Sequence, residues 1–375
     1  MQRYYFDHNA TTPVSPEVLE AMLPMLTEVY GNASSIHHFG QAARQKLDAA
    51  RKRVAEALGA EPQEIVFTSG GTEADNLAIL GGSSGGHVVT TTFEHPAVLA
   101  SAAQCDHTLV PVDGQGLVDP AAIQRALRPD TKLISVMHAN NEIGTIQPIA
   151  EIARVAAEAG VAMHSDGVQA MGKIPIKMTG LGVALYSISG HKIGAPKGVG
   201  VLYVRKGTGL KPMLYGGRHE RERRGGTENV AGAVAQGRAM QWIGDHGDAE
   251  RRRVEILRDR LEQSIASRIK DTHVNGAGAP RVPNTTNVRF DGIDSDALLI
   301  ALDLKGFAVS SGAACSSGAP EPSHVLLAMG LNRLEARSSI RFSLGRSNTI
   351  EQVDALVEAL VESVAHLRKL APAYA

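Results

Sequence analysis

The chain has 375 residues, with 38 basic and 39 acidic side chains and a net charge of -1. That balance leaves no overall field to recruit nucleic acid or an anionic membrane, so small molecules and other proteins are the expected partners. Its two cysteines, Cys105 and Cys315, exclude a disulfide framework and any paired metal-ligand spacing, which suits a reducing cytoplasm. At about 150 residues per domain the length accommodates two domains. The start, Met1-Gln2-Arg3-Tyr4-Tyr5-Phe6-Asp7, lacks the basic flank and apolar core of a signal peptide, and no apolar run reaches a membrane-spanning length, so a soluble protein is expected.

After a short strand-like start, the spacing of apolar residues predicts helices over 16–30 and 41–58, separated by the turn-rich Gly31-Asn32-Ala33-Ser34-Ser35. From residue 63 strand, turn and helix repeat: apolar runs at 64–68, 88–92, 109–112, 133–138, 161–165, 183–188 and 199–204 mostly alternate with helical patterns. Near-continuous apolar strands of this kind predict an α/β fold with a mostly parallel sheet covered on both faces. A charged loop at 218–226 precedes helical patterns at 228–245 and 249–267. After Gly276-Ala277-Gly278-Ala279-Pro280 come a strand at 286–290, a helix at 294–304, a strand near 307–310, a loop holding Cys315, a strand at 339–344 and a terminal helix. These divide the chain into a large domain, 16–255, and a smaller α+β domain of 1–15 with 256–375 that carries the cysteine loop.

Four polar groups follow four different strands. Thr72, in Thr68-Ser69-Gly70-Gly71-Thr72-Glu73, opens a helix after a glycine-rich turn, a setting that suits a phosphate or equally an ordinary N-cap. His95 can stack on a flat ring or pack structurally. Asp166 can hold a proton on a heteroaromatic nitrogen or cap a helix. Lys192, behind Gly190 and His191, can form a Schiff base with an aldehyde cofactor or sit in a surface turn. Parallel sheets bind ligands at the carboxyl ends of their strands, so the four are expected to converge on the set of roles that pyridoxal 5'-phosphate requires. Cys315 is surrounded by small residues, as an exposed reactive thiol would be, while Cys105 reads as a packing residue. Arg341 and Arg346 are each either a clamp on a substrate carboxylate or a surface ion pair.

The motifs S-G-H-K (189–192), T-S-G-G-T-E-x-D-N (68–76), M-H-A-N-N-E-I-G-T-I-Q (137–147), D-G-V-Q (166–169), R-G-G-T-E-N (224–229) and S-S-G-A-A-C-S-S-G-x-x-E-P-S-H-V-L (310–326) resemble a known family. It is that of the pyridoxal-phosphate cysteine desulfurases of the nitrogen-fixation and iron–sulfur-assembly type, class V aminotransferases with the type I fold. The resemblance runs from Tyr5 to the terminal helix. It implies that Lys192 bonds the cofactor, His95 stacks on its ring, Asp166 pairs with the ring nitrogen and Gln169 meets the ring hydroxyl. Gly71, Thr72, Ser189 and His191 would hold the phosphate, with Thr227 reaching the phosphate of the other subunit in a homodimer. Asn141 and Arg341 would take the substrate carboxylate. Cys315 would accept sulfur from L-cysteine, leaving L-alanine, and pass it to a sulfur-acceptor or iron–sulfur scaffold protein. Three positions depart from the family pattern: Ala33 and His219, which bear on loop conformation and subunit contacts, and Gly167, which is expected to loosen the turn that aims Asp166. Competing readings are another reaction on the same cofactor, such as transamination or selenocysteine cleavage, and a scaffold that keeps the fold for protein contacts.

Overall fold

The computed structural model describes residues 2–312 and 321–370. Its strands, in chain order, are β1 (Tyr4–Tyr5), β2 (Ile65–Thr68), β3 (His87–Thr91), β4 (His107–Val110), β5 (Thr131–Ser135), β6 (Ala162–Asp166), β7 (Leu185–Ser189), β8 (Gly200–Val204), β9 (Thr272–Val274), β10 (Thr285–Phe290), β11 (Phe307–Ala308) and β12 (Ser339–Ser343). Seven of them form one sheet in the order β2-β8-β7-β6-β5-β3-β4. The neighbours from β7 to β4 pair in parallel, and β8 alone runs against its neighbours β2 and β7. Most of these strands are buried along their whole length, because helices cover both faces. Leu47, Val54, Ile134, Ile152, Ile188 and Met240 lie in the core on one side, and Val66, Leu77, Val88, Leu133, Leu185 and Leu202 in the core on the other.

The expected mostly parallel α/β sheet is therefore present, with most strand boundaries moved by one or two residues. The largest difference lies beyond it. The two helical patterns at 228–245 and 249–267 are one helix, Val230–Arg268. Gly244 and Gly247 mark a break by composition, yet neither has positive φ, and no proline interrupts the hydrogen-bond ladder. At 39 residues and about 1.5 Å per residue it spans roughly 58 Å. Its first half buries Val230, Ala233, Val234 and Met240 in the core under the large sheet. Its second half buries Val254, Leu257, Leu261 and Ile265 in another core, with Phe6, Phe290, Leu298, Phe342 and Leu360.

That second core supports an antiparallel sheet, β12-β10-β9, and the short parallel pair β1-β11. Bridges from Asp7 to Ser343 and from Ser310 to Arg341 knit the chain's first residues and the stem of the cysteine loop onto β12. Residues 7–15 then cross to the large sheet, where Thr12 N donates to the carbonyl of His191 at 2.8 Å and Ser15 N to that of Gly194 at 3.0 Å. The segment after β1 consequently lies between the two sheets, next to the carboxyl ends of the parallel strands.

Candidate active site

Five strand ends of the large sheet meet here. After β2 the chain turns through Ser69-Gly70 into the helix Gly71–Asn76. A Cβ at Gly71 would lie 2.9 Å from Val168 Cγ2 and 3.5 Å from Ser189 Cβ, so only glycine lets this helix start approach the turns after β6 and β7. After β3, His95 caps the helix Pro96–Ala102, its Nδ1 accepting from Ala97 N at 3.1 Å. With Nδ1 an acceptor, the ring proton of the neutral imidazole is on Nε2. Asn141 follows β5, Asp166 ends β6, and Ser189 ends β7 before the single turn Gly190–Lys192. From the other sheet, β12 contributes Arg341, which is 4 % exposed.

Ten of the residues singled out from sequence line one cavity of about 270 Å³: Gly71, Thr72, His95, Asn141, Asp166, Gln169, Ser189, His191, Lys192 and Arg341. Thr227 does not line it and is exposed. Cys315 lies outside the described residues. Arg346 faces elsewhere, pairing with Glu17 at 2.7 Å and lying over the ring of Trp242, while Arg341, at the cavity wall, is ion-paired as well, its Nη2 2.6 Å from Asp7 Oδ1 and its Nη1 donating to Asn141 O at 3.0 Å. Cys105 is half-buried at the edge of an apolar core, 3.6 Å from Ser83 Oγ.

Burial dominates the electrostatics. It lowers the proton affinity of Lys192 to about 8, helped by the cation of Arg341 and opposed by Asp7 and Asp166. Burial also raises the Asp166 carboxyl, against the pull of His95, the Val168 N–H at 2.9 Å and Lys192. His95 is pushed down by burial and Lys192, against Asp166, and His191 is pushed down to about 4. Lys192 Nζ donates to the carbonyls of Asn9 at 2.5 Å and Ala10 at 2.7 Å.

The structure corrects the expectation about Gly167. The turn after Asp166 is tied, not loose: Gly167 N donates to Ser187 O at 3.0 Å, and its own carbonyl accepts from Ala170 and Met171. Glycine is needed because the ring of fully buried Tyr186 fills the place of a Cβ, which would lie 2.0 Å from it. Tyr186 is held by its hydroxyl, 2.8 Å from His138 Nδ1. The segment containing Ala33 keeps its local bonds, with Ser34 N on Asn32 Oδ1 at 2.9 Å. Beside His219, the loop carries Glu220, Arg221 and Glu222 in the left-handed region.

Sequence reasoning missed Asn9, Ala10, Asp75, Met137 and Val168, which also line the cavity. Asp75 was findable, since it stands three residues after Thr72 and hence on the same helix face. Nothing in the sequence marks Asn9. Several features fit pyridoxal phosphate. The close backbone approach at Gly71 presents helix-start N–H groups beside the hydroxyls of Thr72 and Ser189, a donor set for a phosphate. A buried carboxylate, Asp166, suits a ring nitrogen, and Lys192 has its amine at the cavity wall. Two buried polar atoms of the cavity lining, Asp75 Oδ1 and Arg341 Nε, have no hydrogen-bond partner among the described residues, although Asp75 Oδ1 lies 3.6 Å from His164 Nε2.

The aminotransferase class-V family matches residues 4–356. The cysteine desulfurase IscS of Dictyoglomus turgidum is 45% identical over 378 residues, covering 98% of this chain and 96% of that protein. A solved NifS-like protein superposes with a TM-score of 0.91 at 36% identity, covering 97% of this chain and 100% of that one. SspA, solved in complex with cysteine, superposes with a TM-score of 0.81 at 34% identity, covering 92% and 99%.

Proposed function

This chain belongs to the aminotransferase class-V family and is a pyridoxal-phosphate-dependent cysteine desulfurase, and we propose that it uses Lys192 as its proton-transfer base and Cys315 as its sulfur acceptor. The observation that carries the assignment is the cavity at the carboxyl ends of five strands, where Lys192, Asp166, His95 and Arg341 meet.

Lys192 would hold the cofactor's aldehyde carbon, His95 would lie on its ring and Asp166 would face its nitrogen. Gln169 would face the ring hydroxyl, and Gly71, Thr72, Ser189 and His191 would surround the phosphate. When bound, the cofactor supplies an electrophilic carbon for the substrate amine and a conjugated ring that takes up the electron pair released at Cα. Arg341 Nε, buried and unpartnered among the described residues, and Asn141 are the groups available to the L-cysteine carboxylate. Lys192 moves the Cα proton, a task matched to an amine whose proton affinity is already lowered toward neutrality. The Cys315 thiolate attacks the sulfur of bound L-cysteine. The carbon–sulfur bond breaks with its electron pair going to carbon, protonation gives L-alanine, and a persulfide remains on Cys315.

The persulfide sulfur then passes to an acceptor or scaffold protein for iron–sulfur cluster assembly or related transfer. In this reading the protein is a cytoplasmic homodimer, in which exposed Thr227 serves the partner's phosphate. Its large domain is 16–255 and its small domain 1–15 with 256–375. The division into two domains is supported by the helix Val230–Arg268, which passes from one core to the other.

The test is alanine formation from L-cysteine. Lys192→Ala is expected to abolish it, and Cys315→Ser to keep the cofactor's visible spectrum while losing turnover. Full activity in either variant contradicts the assignment.

A further inference from the structure

A lysine that the mechanism above does not use stands directly behind one of the residues that face the cofactor. The turn after β6 runs helically from Gly167 to Met171, and Gly172, at φ +80°, folds the chain back so that Lys173 returns beneath Gln169. Lys173 Nζ donates to Gln169 Oε1 and, at 2.7 Å, to Asn9 Oδ1. Gln169 Nε2 donates to the backbone carbonyl of Asn9 at 3.0 Å. Asn9 is locked in the same way, its Oδ1 also accepting from Asn284 at 3.1 Å and its Nδ2 donating to Thr285 Oγ1 at 2.8 Å and Asn141 O at 3.0 Å.

The chemistry of these groups leaves one arrangement. A protonated Lys173 has three donors and no acceptor, so a flipped Gln169 amide would set N–H against N–H there, and the flip would also set Oε1 against the Asn9 carbonyl that now accepts from Nε2. Oε1 therefore points away from the cavity, toward Lys173. Nε2 carries two hydrogens and Asn9 takes one; Gln169 is 4 % exposed and lines the cavity. The second hydrogen is the group it has left to offer.

We propose that Lys173 is a positioning residue that fixes the side-chain amide of Gln169 with its N–H toward the cofactor's ring oxygen, so that the site always meets that oxygen as a donor. This rests on the assignment of the cavity to pyridoxal phosphate and adds a residue to it. Lys173 does not touch the cofactor in this account. It acts by forbidding the alternative amide orientation, in which the carbonyl of Gln169 would repel an oxygen anion on the ring.

The experiment reads cofactor affinity and the visible spectrum of protein reconstituted with pyridoxal phosphate, for Lys173→Met, Gln169→Leu, the double variant and Lys173→Arg. Loss of one such hydrogen bond corresponds to an affinity about five- to tenfold weaker. Lys173→Met is expected to lose that much and to shift the absorption in the same direction as Gln169→Leu. The double variant should be no worse than Gln169→Leu alone, and Lys173→Arg, which keeps a donor, should recover most of the affinity. Additive losses in the double variant, or a wild-type spectrum in Lys173→Met, overturn the proposal while leaving the cofactor assignment intact; a wild-type protein that takes up no cofactor overturns both. Should Lys173→Met not fold, Gln169→Glu decides: it keeps an acceptor for Lys173 but removes the N–H, and wild-type affinity and spectrum in that variant overturn the proposal.

Discussion

Lys192 carries the sharpest expectation for a single group. Its amine is a nucleophile only when unprotonated, and burial with the Arg341 cation brings its proton affinity down to about 8. The rate at which apoprotein captures pyridoxal phosphate should therefore rise with pH through a midpoint of about 8. Stopped-flow absorbance from pH 6.5 upward measures this, and a midpoint near the ordinary lysine value of about 10.4 would contradict it. The neighbouring Gly167 makes a steric prediction: a Cβ there falls 2.0 Å from the Tyr186 ring. Gly167→Ala is expected to destabilise by about 1–3 kcal/mol, the range for overpacking a filled core. Chemical denaturation measures it, and adding Tyr186→Leu should cost less than the sum of the two single changes. The sequence shows Gly167 only as a departure from a family pattern. That its partner is an aromatic ring on the next strand is a tertiary fact, invisible in local spacing.

Among the connecting elements, the 216–229 loop is held by a contact that composition does not reveal. Arg51, on the helix His38–Leu58, makes a bidentate pair with Glu220, both bonds at 2.7 Å, and Glu220 also accepts from Phe67 N at 3.1 Å. The two side chains are 7 % and 3 % exposed. The pair pins a stretch in which Glu220, Arg221 and Glu222 all have positive φ, at 46°, 56° and 65°. Such conformations persist only where surrounding structure holds them. Glu220→Ala leaves Arg51 buried without its anion, and thermal or chemical unfolding should show a loss of about 3–5 kcal/mol. A change within about 0.5 kcal/mol, the range of an ordinary surface substitution, would mean the pair does not hold the loop. The strands and most helices of the large sheet were legible because apolar runs between glycine-rich turns report burial on both faces directly. The helix Val230–Arg268 was not, because Gly244 and Gly247 look like punctuation until two separate cores hold the helix across them. In the same way, strand ends announced Thr72, His95, Asp166 and Lys192, whereas Asn9 reaches the site only because the chain's first residues pair with β11 and β12 far along the sequence.

The whole molecule buries several ionisable groups, and its stability should depend on pH accordingly. Glu94, between β3 and His95, is fully buried and accepts hydrogen bonds from Thr91 and the N–H of Met137, and burial pushes it up to about 8. Between the ordinary glutamate value and pH 8 the fold keeps this proton while the unfolded chain releases it, so stability falls as pH rises through that interval. His138 and His164 are pushed down by burial to about 4 and about 3. They act oppositely, with stability lost as pH falls below about 6.5, where the unfolded chain takes up their protons. Their contribution fades about one pH unit above the ordinary histidine value, and comparing Glu94→Gln with wild type up to pH 8 isolates the Glu94 contribution. Glu94→Gln should flatten the decline there by up to about 1.4 kcal/mol per pH unit, as denaturation at several pH values would show; parallel curves for variant and wild type would contradict it. Taken whole, one cavity at the carboxyl ends of a parallel sheet, together with the thiol of Cys315, is proposed to take sulfur from L-cysteine. A single turnover of the reconstituted protein with L-cysteine, followed by alkylation and peptide mass analysis, tests it most directly. One L-alanine per site and one added sulfur atom on the peptide that contains Cys315 are expected; alanine formed with no sulfur on that peptide, or sulfur found on Cys105 instead, would overturn this assignment.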